Sequence, residues 1–164
     1  MYYAPVTQIT YEPLLPSIDE GWALLADGAF EEALGVFSEL LYALPEEASP
    51  RIGYAIASGM LYRNGAAISA MRRAIIDDAH ALLDVPIEPL ITEHYRWLLE
   101  HFSERVREDS EDIDGLFMVA VMRFILEEPT QAYFAIDLAI RRGDEDHSAE
   151  NLKALISDVI EQGF

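Results

Sequence analysis

Between Phe30 and Leu41 the apolar residues fall at Phe30, Ala33, Leu34, Phe37, Leu40 and Leu41. That is the three- and four-residue spacing of one helix face. Gly28 stands before this run and Pro45 after it, so the pattern predicts a helix from about Phe30 to Leu44. Ser17 and Glu20 form a capping box that opens a preceding helix, which Gly28 ends. Ser49-Pro50 supplies an N-cap and first turn for a third helix, to about Tyr62, and Asn64-Gly65 is the expected turn. A fourth helix is expected over 66–82, and a fifth, amphipathic one over 90–105. A sixth is expected over 114–126, and a seventh opens at Pro129 and runs to about Arg141. The last places Leu152, Leu155, Ile156, Val159 and Ile160 on one face. Residues 1–16 differ: Tyr2, Tyr3, Val6, Ile9 and Tyr11 favour extended backbone, and Pro5, Pro13 and Pro16 block helix. No segment after residue 16 demands a strand, so the chain reads as all-α, built from antiparallel helix pairs.

These pairs echo one another. Ala33, Phe37 and Leu40 recur at one constant interval as Ala67, Met71 and Ala74, and Gly21 recurs at the same interval as Ala55. Nearly two such intervals further on stand Ala132, Ile136 and Ala139. Small residues at such positions let two helices of a hairpin cross closely. Because the second gap is almost double the first, one irregular unit is expected around residues 82–112.

With these residues in place, the chain resembles the tetratricopeptide repeat family. Gly21, Ala55 and Ala120 match the small residue of the family's first helix. Gly28 and Phe30 match its turn glycine and following aromatic. Ala33, Ala67 and Ala132 match the alanine of its second helix, and Ala74 and Ala139 the later small residue, where Leu40 departs. The closing proline is met by Pro45 alone. The order of units also resembles that of uncharacterised bacterial repeat proteins with two repeats, a linker helix, a third repeat and a closing helix. The composition of residues 1–16 predicts an extended arm, and the resemblance implies one superhelical domain over 17–164. Within it, repeats are expected over 14–47, 48–81 and 113–146, an irregular unit over 82–112 and a capping helix over 147–162. It implies no enzyme activity and no cofactor, and a concave face that binds peptide.

That alignment places nine residues on the concave face: Ile18, Trp22 and Leu25; Ile52, Ile56 and Met60; Phe117, Val121 and Phe124. The stripe is apolar. Family members that grip a carboxylate tail there use Lys, Arg and Asn, and the first pair carries none. Three arrangements account for such a stripe. The chain's own parts cover it: the fifth helix, the last helix or the arm over 1–14. A homodimer seals it. Or it holds an apolar or amphipathic partner segment.

Charge narrows the partners. The chain has 164 residues and a formal net charge of −19, with 30 acidic and 11 basic side chains. The first fifty residues hold no Lys or Arg. Such a field repels phosphate backbones and anionic lipid, so nucleic acid is not an expected partner, and a basic or amphipathic protein segment is. There is no cysteine, which excludes disulfides, thiolate metal sites and thiol catalysis. No apolar run is long enough to span a membrane. The opening Met1–Val6 lacks the basic start and apolar core of a signal peptide, so none is expected in this stretch.

Candidate chemistry is sparse. His94 and His101 lie two turns apart on one helix, roughly 10 Å by helix rise, too far to share a metal. Asp109–Gly115 resembles a calcium loop in composition, but Ile113 falls where a ligand is needed and no late Glu follows. Arg72-Arg73 and Arg141-Arg142 are the only adjacent basic pairs, and dipole compensation or pairing with nearby acids accounts for them. No nucleophile, phosphate-loop or dinucleotide motif is present. The expected function is therefore a non-catalytic protein–protein interaction scaffold, or a self-occluded or homodimeric module without a separate ligand.

Overall fold

The computed structural model describes residues 14–163. They form eight α-helices: α1 (Ile18–Ala26), α2 (Phe30–Ala43), α3 (Ala48–Met60), α4 (Asn64–Asp78), α5 (Pro89–Glu108), α6 (Ile113–Ile125), α7 (Pro129–Arg141) and α8 (His147–Gln162). A 3-10 segment, Ala79–Asp84, follows α4, and no strand occurs among the described residues. The protein is all-α, and consecutive helices pack against each other within three hairpins, α1–α2, α3–α4 and α6–α7.

The three hairpins and the α7–α8 junction turn in one way. Gly28, Tyr62, Glu127 and Gly143 have φ of 80°, 61°, 62° and 106°. In each case the next residue's N–H donates back across the turn to a helix carbonyl: Ala29 to Leu24, Arg63 to Ser58, Glu128 to Arg123 and Asp144 to Ala139, at 2.9–3.0 Å. This is the left-handed C-terminal motif that satisfies the last carbonyls of a helix. Gly28, Tyr62 and Glu127 follow one another at the same intervals as Ala33, Ala67 and Ala132. The expected Asn64-Gly65 turn is therefore corrected. Tyr62 makes the turn, and Asn64 and Gly65 open α4. A tyrosine in this region costs roughly 1–2 kcal/mol against glycine. Its ring packs edge-on against Trp97 of α5, at 5.4 Å between centroids, which offsets part of that cost.

Two helix ends also differ from expectation. Ser49 and Pro50 lie in the first turn of α3, whose N-cap is Glu47 without a side-chain cap bond. The fourth helix tightens into the 3-10 segment after Asp78, whose carboxylate accepts from the His80 N–H. The Ser17 cap forms, its hydroxyl accepting from the Glu20 N–H at 3.3 Å.

The core lies where the repeated positions meet. Ala33, Ala67 and Ala132 are fully buried, as are Phe37, Met71 and Ile136. Phe37 is wedged between two bare stretches of backbone. A Cβ built on Gly53 would lie 2.3 Å from Phe37 Cε1, and one on Gly21 2.7 Å away. Glycine at 21 and 53 lets the ring of α2 sit directly on α1 and α3. No helix among the described residues is long and apolar enough to cross a membrane.

Candidate binding groove

The nine residues assigned to the concave face do not form an open surface. Leu25, Ile52, Ile56, Phe117, Val121, Phe124 and Trp22 are buried, and Ile18 and Met60 pack against the core while half-buried. The occupant over the first two hairpins is α5, which packs against α1, α3 and α6. Its Ile91, Tyr95, Leu98 and Phe102 recur every three or four residues, the inward stripe of an amphipathic helix, and all are buried. Leu98 fits against Gly59 of α3, where an added Cβ would lie 2.8 Å from Leu98 Cδ2. The Tyr95 hydroxyl donates to the Pro86 carbonyl at 2.9 Å, and burial, with the Glu88 charge second, raises its pKa.

Two histidines hold α5 at successive hairpin turns. His94 Nε2 donates to the Ala26 carbonyl at 3.3 Å, and its ring meets Phe30 edge-on at 5.0 Å. His101 Nε2 donates to Asn64 Oδ1 at 2.9 Å, and its ring stacks on Trp97 at 5.0 Å. Phe30 and Asn64 are equivalent positions of the first two hairpins, one repeat interval apart. A heptad of helix advances roughly 10 Å, near the spacing of packed helices. One heptad of α5 thus spans one hairpin. Burial, and then the Arg105 charge, lowers the His101 pKa.

Between α1 and the start of α5 a pocket of about 200 Å³ opens beside Trp22, with Asp19 and Glu88 among its lining residues. Residues 1–13 of the arm expected across the face lie outside the described residues. Leu14 and Leu15 sit instead beside Tyr42 on α2.

Arg72 belongs to one of the two adjacent basic pairs, yet it ties distant elements together rather than serving its own helix end. Its guanidinium reaches Asp114 and Asp144 at 2.9 Å and the Ser148 hydroxyl at 2.9 Å, and lies 4.1 Å above the Phe117 ring. Burial lowers the Arg72 pKa, but the bonds to Asp144 and Asp114 outweigh it, and the group is held above its ordinary value. Ser148 in turn donates to Asp146 at 2.6 Å, holding that carboxyl below its ordinary pKa. The expected acidic link acts as a cap: Asp112 accepts from the Gly115 N–H at 2.9 Å and pairs with Arg105 at 3.0 Å. Among the described residues no group of three or more His, Asp or Glu is placed to hold a metal ion.

Comparison of the sequence with protein-family models and with curated proteins returns no match. The functional reading therefore rests on this geometry: a groove shaped for an amphipathic helix, with α5 lying in it.

Proposed function

We propose that the chain is a non-catalytic protein-interaction module of tetratricopeptide-like build, whose concave face accepts an amphipathic helix and holds α5 there in cis. The observation that carries this reading is the seating of Leu98 against Gly59, with Ile91, Tyr95 and Phe102 buried on the same stripe. Recognition by such a stripe is a helix-in-groove mode. The acidic rim at Asp19 and Glu88 favours a competing helix with a basic flank. The rival reading is a structural module in which α5 is a permanent part of the core and no separate ligand exists.

A labelled peptide with the sequence of residues 88–109 separates the two. Leu98→Ala removes the central anchor of α5 and weakens its hold on the groove. The interaction reading expects saturable peptide binding to folded Leu98→Ala protein and none to the wild type. A Leu98→Ala protein with native circular dichroism that ignores the peptide leaves α5 as permanent core. Because Trp22 and Ile56 are buried, charges at those positions would test folding rather than recognition.

A further inference from the structure

Where the described chain begins, it leaves apolar surface uncovered. Leu14 is 98% exposed and Tyr42 92%, and with Leu15 and Ala43 they form one patch beside the C-terminal half of α2, with Glu39 at its side. Ser38 borders this patch and also a cleft of about 560 Å³ between α2, α3 and α4, so the two form one groove. Leu41, Tyr54 and Ala70 line the cleft with Arg51 and Arg73, and neither an acid nor any residue of α5 does. In a chain with 30 acids and 11 bases, an acid-free cleft holding two arginines is anomalous. Arg51 is engaged below, its Nη2 donating to the Pro45 carbonyl at 3.1 Å. Arg73 stands at the rim: its side chain is 64% exposed, Asp77 holds its Nε at 3.2 Å, and its outer nitrogens make no hydrogen bond among the described residues.

Position, pattern and charge select one occupant, residues 1–13 of the same chain. They join the described residues at Leu14, at the mouth of the groove. Extended, they reach roughly 43–47 Å, several times the ~10 Å between packed helices. Ile9 and Tyr11 alternate with Gln8, Thr10 and Glu12, so an extended backbone there has one apolar and one polar side. Glu12 is the one acid before Leu14, and no Lys or Arg accompanies it. Repulsion from Glu39 and attraction to Arg73 both direct that carboxylate away from the patch and into the cleft. Tethering adds a further advantage. A segment joined to its site meets it at an effective concentration on the order of millimolar, which a free competitor has to match.

We propose that the N-terminal segment of this chain straps the α2–α3–α4 groove in cis, with Ile9 and Tyr11 on the floor of Leu41, Tyr54 and Ala70, and Glu12 paired with Arg73 at the rim. The strap joins the first hairpin to the second on the side away from α5, and any partner for this face has to displace it. The site is separate from the α5 groove, and its failure would leave the helix-in-groove reading untouched.

The chain has no cysteine, so Gln8→Cys, on the polar side of the segment, carries a single nitroxide label in the full chain. The readout is paramagnetic broadening of backbone amide signals, measured against the reduced label. The expected result is strong broadening at Ala66, Ser69 and Ala70 of α4 and far less on α7. A mixture in which spin-labelled and isotope-labelled molecules are different copies should show none of it. Glu12→Gln and Arg73→Gln should each raise the ratio of undocked to docked segment by about two- to fivefold, and the double variant no further than either. Both changes are at side chains outside the core, so native circular dichroism should persist. Broadening confined to α1 and α5 puts the segment over the concave face, and broadening confined to the residues next to Leu14 leaves it undocked. Broadening that persists in the mixture assigns the groove to a second copy. Each of these overturns the proposal. So does broadening that neither glutamine variant reduces, because the charge match is what selects this occupant.

Discussion

Leu98 of α5 occupies the space that a side chain at Gly59 of α3 would fill: a Cβ there would lie 2.8 Å from Leu98 Cδ2. The pair couples the irregular helix to the second hairpin. Gly59→Val forces Leu98 out of its seat and should cost about 1–3 kcal/mol by overpacking. Combined with Leu98→Ala, the penalty should be smaller than the sum of the two, because the second change empties the space the first requires. Urea denaturation of the single and double variants measures the coupling, and strict additivity would show that the residues do not touch.

Phe37 presents a harder version of the same contact. Its ring is held between Gly21 and Gly53, so it has no direction in which to yield. Gly53→Ala should destabilise by about 1–3 kcal/mol, although alanine is the better helix former by about 1 kcal/mol. Gly65→Ala, where no atom lies within reach of the new Cβ, should stabilise or leave stability unchanged. Thermal melts should therefore show a clear loss for the first variant and none for the second.

The two arginines at 72 and 73 should behave unlike each other. Arg72→Ala leaves the buried Asp144 carboxylate without its cation and should cost about 3–5 kcal/mol. Arg73 is largely exposed, and Arg73→Ala should cost no more than about 1 kcal/mol. Equal losses in chemical denaturation would contradict the assignment of Arg72 as the tie between the second and third hairpins.

His101 makes the docking of α5 pH-dependent. Its folded pKa lies below the ordinary 6.5, so the folded state prefers the neutral ring. The resulting stability is present above pH 6.5 and is lost as pH falls through that value toward the folded pKa. Amide exchange in α5 should therefore quicken, relative to α6, on acidification from about pH 7.5 to 5.5. His101→Gln keeps a donor for Asn64 and should remove this dependence. Asp146 acts in a lower window. Its pKa is depressed by Ser148, so its contribution is present above the ordinary 3.8 and disappears as pH falls below it.

Local spacing makes the hairpins legible in the sequence. Small residues at 33, 67 and 132 mark close crossings, and the Ser17 cap marks where α1 starts. The nine apolar groove residues are also readable, and so is the amphipathic face of α5, but which of the possible covers lies over the groove is not. That depends on where α5 docks, and its docking partners lie on other helices. A signal does exist: Ile91, Tyr95, Leu98 and Phe102 form a stripe on one long helix, and Gly59 offers a bare spot on α3. Tyr62 is not legible as a turn residue because its left-handed backbone is set by the hairpin closing around it, against its own preference. The role of Arg72 is hidden because its partners lie far along the chain, Asp114 on α6 and Asp144 in the link between α7 and α8.

The central claim is that α5 lies in the groove of the first two hairpins. The most direct measurement is a nuclear Overhauser contact between the Leu98 methyl groups and the Gly59 α-protons in the full chain. A strong contact is expected, together with slow amide exchange along the buried stripe of α5. A Leu98 methyl signal without that contact, on a helix whose amides exchange as freely as the chain ends, would contradict it.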